Sequence, residues 1–314
     1  MESKIKFVFI FILLPFIFSC TSRKCCPDLF TWSRGKISPT RHEFENALSD
    51  NHKIYTLGGP NHGAFEVFDT KTKTWSVLPP LPQPVYFFGC VILNHTIYVM
   101  GGIDTLKNFS NTFQKFDLLQ NKWDTLPSLS IPRINASAVV CNDKIFLVGG
   151  AEGKNYQNSR HSGLVEAYDP LTQSWQKKSD LPTPRYGLAT ICINNKILAA
   201  GGSIVNAHYS AENTSIVELY NPLTDTWSRM ADLPSPNFLF GLFEIDSKIY
   251  SIGGYGYREF SPVIRYDMNA DQWMQVGNMP EIMNQFGIAV DGMKVYVIGG
   301  KTNGKSMWVG KKLK

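Results

Sequence analysis

Two polar stretches in the middle of the chain hold the residue types that acid–base chemistry needs. AEGKNYQNSRHSG (151–163) carries Glu152, Tyr156, Arg160 and His161, and SIVNAHYSAENTS (203–215) carries His208, Tyr209 and Glu212. One group that gives a proton and one that takes it suffice for a step at a sugar's anomeric centre. If the two stretches face each other, they supply that pair. If they stand apart they are two solvated loops, and neither has a fixed catalytic spacing. A second set falls at regular positions: Arg133 and Arg185 lie ten residues after a tryptophan, and Tyr86 and Tyr186 eleven after one. Guanidinium groups beside aromatic rings suit a carboxylate or a sugar. The plainer alternative is an arginine that only ties down loop carbonyls. The catalytic candidates are therefore Glu152, His161, His208 and Glu212. The ligand-binding candidates are Arg133, Arg185, Tyr86, Tyr186, Tyr156, Arg160 and Tyr209.

The elements that position these residues come from a repeat. A double glycine recurs at Gly58-Gly59, Gly101-Gly102, Gly149-Gly150, Gly201-Gly202, Gly253-Gly254 and Gly299-Gly300. An aromatic residue followed by Asp or Asn recurs at Phe68-Asp69, Phe116-Asp117, Tyr168-Asp169, Tyr220-Asn221 and Tyr266-Asp267. A tryptophan stands 6 residues after each of these pairs, at Trp75, Trp123, Trp175, Trp227 and Trp273, and the next glycine pair follows 26 residues later. Trp32 obeys the same rule toward Gly58. All variation in length falls between a glycine pair and the next aromatic. Periods of 43 to 52 residues with fixed and variable parts mark a repeat architecture.

These motifs resemble the kelch repeat, over roughly residues 29 to 310. The resemblance implies an all-β fold, a six-bladed β-propeller. Physical reasoning agrees: a four-stranded sheet cannot bury both faces alone, so blades stack about an axis. Glycine at a strand end lets a neighbouring backbone or ring approach, and the tryptophan is the expected ring. The residues 14 after each tryptophan (Asn46, Gly89, Ser137, Ala189, Gly241 and Gly287) are all small, as an innermost strand requires. Blades are expected at about 43–78, 87–126, 136–177, 188–229 and 239–275. The sixth starts near Phe286 and runs out of chain after three strands. LFTWS (29–33) is the missing strand and closes the ring. Asn94-His95, Asn142-Asp143, Asn194-Asn195 and Asp246-Ser247 are tight turns. Proline-rich segments link the blades. Links and variable loops open on one face, where binding concentrates on a rigid scaffold. Glu66, Glu166 and Glu218 share one column, which points to a structural role.

The chain has 314 residues, a net charge of +5 and 18% charged residues, which suits one globular domain. The basic tail Lys311, Lys312 and Lys314 is a solvated end, and no nucleic-acid partner is expected. Residues 1–20 differ: Lys4 and Lys6 precede the apolar run Phe7–Phe18, then Ser19-Cys20. This is a signal peptide, too short to span a bilayer comfortably. Ile17-Phe18-Ser19-Cys20 resembles the bacterial lipobox, which implies lipidation of Cys20. Residues 21–28 are then a tether and 29–314 the propeller. The expected location is the bacterial cell envelope, as a periplasmic or outer-membrane lipoprotein; plain secretion is the alternative. With Cys20 removed, five cysteines remain, an odd number that cannot all pair. Cys90, Cys141 and Cys192 are expected as small buried residues. No CxxC or zinc spacing occurs, so neither metal nor cofactor is expected.

Two functions fit. One is a monomeric binding protein that takes a protein or carbohydrate on its loop face. It shows no BTB-like helical domain, unlike the family's cytosolic ubiquitin-ligase adaptors. The other is a sugar isomerase, similar in outline to exported kelch proteins that act as sialic acid mutarotases. A copper-radical oxidase would need a cysteine-crosslinked tyrosine and paired histidines, and no such cluster is found.

Overall fold

The computed structural model describes residues 29–40, 46–58, 63–205, 210–256, 261–300 and 306–313. The leader, Cys20 and the tether lie outside them. Among the described residues there are six four-stranded antiparallel sheets. Five are built from consecutive strands. The sixth takes Phe286–Asp291, Lys294–Gly299 and Met307–Lys312 from the C-terminal part and Phe30–Arg34 from the N-terminal part. Its two ends pair in register, with Trp32 opposite Gly310. Trp308 is nine-tenths buried there; its indole N–H donates to Glu281 at 3.0 Å, and Arg34 lies 4.6 Å over its ring.

The innermost strands are Asn46–Asp50, Gly89–Leu93, Ser137–Cys141, Ala189–Ile193, Gly241–Ile245 and Phe286–Asp291, and each abuts the next around a circle. Between them runs a channel of about 430 Å³. All six members of the small-residue column line it. The crowding is between blades: a Cβ on Gly89 would meet Leu147 Cδ1 at 2.8 Å, and one on Gly287 would meet Ala47 Cβ at 2.7 Å. Apolar side chains fill the spaces between sheets, as with Val139, Phe146 and Val148 of one blade against Leu188, Ile197 and Ala199 of the next. Full burial of such a side chain stabilises by roughly 1.5–3 kcal/mol.

The tight turns form as expected. Both residues of Asn94-His95, Asn142-Asp143, Asn194-Asn195 and Asp246-Ser247 have φ between +49° and +60°. Backbone and ring both approach the glycine pairs, as expected, but the ring is not a tryptophan. Link carbonyls approach Gly101, Gly102, Gly149, Gly150, Gly201 and Gly202, and a Cβ on Gly253 would meet the Phe286 ring. A Cβ on Gly149 (φ +64°) would lie 2.6 Å from Arg185 O, and Gly150 N–H donates to that same carbonyl at 2.9 Å. The tryptophans instead pack on their own blade's aromatic, with centroids 4.6–5.2 Å apart, from Phe68–Trp75 to Tyr266–Trp273. Four of them also tie blades together. The indole N–H of Trp75, Trp123, Trp227 and Trp273 donates to the carbonyl of Lys36, Pro79, Ser179 and Ala231, at 2.8–3.0 Å.

The cysteine expectation is corrected. Cys141 and Cys192 form a disulfide, with Cα atoms 5.5 Å apart, joining the inner strands of blades 3 and 4. Their different offsets from the glycine pairs hid the pairing, because the partners lie on different strands of neighbouring sheets. Cys90 is free and buried, and burial pushes its thiol pKa up.

Candidate functional site at the channel mouth

Strand polarity places the links and the glycine-pair loops at one end of the channel. Two of these loops rise as hairpins. On blade 3, Ala151–Gly153 pairs with Ser159–His161 and, on its other side, with Arg133–Ile134. On blade 4, Ser203–Val205 pairs with Ala211–Asn213. Beneath them the links join in a belt. Asn135 N–H donates to Phe87 O, Gly187 N–H to Asn135 O and Leu239 N–H to Gly187 O, at 2.8–3.0 Å. Each stands twelve residues after its tryptophan, and Phe87, Asn135, Gly187, Leu239 and Gln285 all have φ of +49° to +64°. This column has no common residue type, so sequence reading missed it.

Arg133 and Arg185 do not reach the rim, and the expected cationic rim is corrected. Both side chains are fully buried. Arg133 Nη2 bonds Glu166 Oε2, and Nη1 donates to Leu164 O at 2.9 Å. Arg185 donates to Glu218 at 2.5 Å and to the carbonyls of Gly201, Thr183 and Ala199 at 2.8, 2.9 and 3.1 Å. The buried charges are compensated, as they must be. Burial pushes both guanidinium pKa values down, and the facing glutamate pushes them back up. The sequence held the signal: each arginine stands 33 residues before its glutamate.

Above these pairs the rim is aromatic. Phe109 meets Tyr156 edge-on at 5.3 Å, and Tyr86 lies 4.9 Å from Phe87. His161 meets Tyr186 at 4.6 Å, Tyr186 meets Phe238 at 5.2 Å, and Phe238 meets Tyr255 at 6.1 Å. Tyr156 is about half exposed at 54%. Its hydroxyl pKa is raised by burial first, then by the nearby Tyr86 and Tyr186. Lys107 Nζ donates to Tyr86 at 2.5 Å. The arc therefore spans loops of blades 2 to 5. Phe109, Lys107 and Tyr255 were not among the sequence candidates, because they sit in shorter variable loops than the two singled out.

The acid–base candidates fare unevenly. Glu152 is buried and held by Arg160 Nε at 2.7 Å and Ser162 Oγ at 2.5 Å. Burial pushes the His161 pKa down, and its buried Nδ1 has no hydrogen-bond partner. Glu212 is exposed on the outer hairpin strand. His208 and Tyr209 lie outside the described residues. Among the described residues no three His, Cys, Asp or Glu side chains gather as metal ligands would.

This architecture is that of a kelch propeller, and the family is shown by the KLHDC2/KLHL20/DRC7 Kelch-repeats domain, whose pattern matches residues 45–254 and 90–300. The chain belongs to the kelch-repeat family. It is 24% identical over 239 residues to beta-scruin of Limulus polyphemus, covering 74% of this chain and 21% of that protein. Against Kelch-like protein 15 of Mus musculus it is 23% identical over 238 residues, 74% of this chain and 33% of that one. Against Kelch-like ECH-associated protein 1B of Danio rerio it is 32% identical over 91 residues, 29% of this chain and 15% of that one. The chain thus spans a third or less of the length of these relatives. A solved structure, that of YjhT, superposes with a TM-score of 0.74 at 16% identity, covering 88% of this chain and 95% of that one. At that identity the likeness shows the fold alone. Kelch domains generally mediate protein interactions.

Proposed function

We propose that this protein is an interaction module that takes its partner on the aromatic arc at the channel mouth, and that it does so outside the cytoplasm, held at a membrane through lipid on Cys20. The arc carries the reading. Tyr156, Tyr186, Phe238 and Tyr255 keep part of their rings in solvent over the buried Tyr86 and Phe109. Such rigid aromatic side chains supply contact area at low entropic cost, and Tyr is enriched among the residues that dominate binding energy. Each ring here is seated on a hydrogen-bonded link or hairpin and so is held in place before binding. The leader sequence and the Cys141–Cys192 disulfide support export, because disulfides persist in oxidising compartments.

The test is a peptide and glycan panel screened against the full chain. Tyr156→Ala and Tyr186→Ala each lower affinity for the best ligand by about tenfold or more, as anchors at a buried centre do. Leu171→Ala, on the opposite face, leaves it unchanged. Equal loss in all three variants, or loss in none, overturns the assignment.

A second reading has a specific observation behind it. His161 offers a neutral imidazole with an unpartnered Nδ1 beside Tyr186, which suits a proton relay at a sugar's anomeric carbon. Anomeric NMR signals of freshly dissolved reducing sugars, sialic acid included, test it. Acceleration lost in His161→Gln supports mutarotation, and no acceleration across the panel removes it.

A further inference from the structure

The face opposite the arc carries apolar residues that no described residue covers. Strands alternate in direction, so turns from first to second strand and from third to fourth share that face. Thr70 N–H donates to His52 O and Leu118 N–H to His95 O, at 2.9 and 3.0 Å, joining one turn of each kind. In blades 2, 3 and 4 the third-to-fourth turn holds Leu119, Leu171 and Leu223 in solvent at 81, 94 and 85% exposure. These turns are rigid. The backbone N–H of each leucine donates to the side chain of Asp117, Asp169 or Asn221 two residues earlier, at 2.8, 2.9 and 3.1 Å. Single exposed leucines are ordinary; three at one register position on consecutive blades are not.

On blade 6 the chain ends take the place of this turn. Leu313 N–H donates to Leu29 O at 2.8 Å. Met293 and Leu313 stand exposed beside them. Exposed lysines (Lys71, Lys73, Lys122 and Lys311) and exposed aspartates (Asp143, Asp225, Asp246 and Asp271) mix on the same face, and Lys122 pairs with Asp124 at 3.1 Å. Residues 21–28 separate Cys20 from Leu29, and so few residues reach about 30 Å at most.

We propose that this turn face lies against a lipid surface, with Leu119, Leu171 and Leu223 entering the headgroup layer and the arc turned outward. The inference rests on the lipid-anchor reading. A short leash that leaves from this face brings it to the bilayer before any other. Leucine side chains gain from entering the acyl boundary, and the mixed lysines and aspartates around them stay at headgroup level. Blade 1, which has no leucine at this position, has Lys71 and Lys73 there.

The test uses the full lipidated chain in vesicles of phosphatidylcholine and phosphatidylglycerol. An environment-sensitive fluorophore is placed on Leu171→Cys, on Leu223→Cys or, as the loop-face control, on Val205→Cys, each in a Cys25→Ser/Cys26→Ser background. Nitroxide-labelled lipid is the quencher. For side chains seated 5–10 Å into the interface, quenching at the turn-face sites exceeds that at the control by about threefold or more. With the label on Met293→Cys, adding Leu119→Asp, Leu171→Asp and Leu223→Asp lowers quenching by about threefold, while the melting temperature stays that of the parent. Protein that floats with vesicles but quenches equally at both faces overturns the inference and leaves the anchor standing. Protein that does not float overturns the anchor and the inference together.

Discussion

Replacing Arg185 with methionine separates a structural arginine from a ligand-binding one. Its side chain is fully buried and makes four hydrogen bonds: Nε to Gly201 O, Nη1 to Thr183 O and to Glu218 Oε2, and Nη2 to Ala199 O. Methionine fills the stem but leaves the Glu218 carboxylate, 4% exposed, with the Thr183 hydroxyl at 3.0 Å as its remaining bond. Stripping a buried carboxylate of its counter-ion costs about 3–5 kcal/mol. At about 2 °C per kcal/mol for a domain of this size, the melting temperature falls by about 6–10 °C. Arg185→Met/Glu218→Leu removes both charges and returns to within about 2 kcal/mol of the parent, since a buried pair contributes little over apolar residues of similar volume. Thermal melts of the two single variants and the double variant at pH 7 give the coupling directly. An Arg185→Met variant that melts within about 2 °C of the parent, with no gain from the second change, refutes the buried-pair account.

Three further outcomes follow from the fold. Reducing the disulfide, or making Cys141→Ser/Cys192→Ser, removes a crosslink between residues 51 positions apart and costs about 4 kcal/mol on the loop-entropy account; a melt unchanged by reductant shows that the bond does not form. Gly149→Ala loses several times more stability than Gly292→Ala: both have positive φ, which costs about 1–2 kcal/mol for a residue with a Cβ, but Gly149 also meets Arg185 O at 2.6 Å while Gly292 has nothing within 4 Å; equal losses refute the close-approach role. Because burial lowers the His161 pKa, the group's stability contribution is present above its unfolded value near 6.5 and is lost as pH falls below it through the folded value. An imidazole titration of His161 at or above about 6.5 contradicts that burial.

The scaffold was readable because packing imposes residue types. Tryptophans, glycine pairs and the small column recur because stacked sheets accept little else at those positions. The Trp32 spacing with the missing fourth strand points to a closing strand at 29–33, where the structure has Phe30–Arg34. The mouth was harder to read. Arg133 and Arg185 are visible, but their role depends on Glu166 and Glu218, 33 residues on, and only the pairing of the two columns shows it. The belt through Phe87, Asn135, Gly187 and Leu239 is made of backbone groups, which any side chain permits, so no residue pattern reports it. Tyr156 and His161 stand out by residue type and loop length, and Tyr186 by its place eleven residues after Trp175. Their contact with Phe109 and Phe238 depends on how far neighbouring blades lean together, which no single repeat encodes. The Cys141–Cys192 bond was missed for the same reason.

The pairing of Thr31 with Lys311, 280 positions apart, also sets the order of events at the ribosome. Phe30–Arg34 is made long before its neighbour. Until Met307–Lys312 is made, Phe30–Arg34 and the outer edge of Lys294–Gly299 each expose an unpaired row of amides, and such edges recruit other chains. A nascent chain of this design therefore gains from a holding factor that covers its leading segment, and a truncation late in the chain is more damaging than its few lost residues suggest.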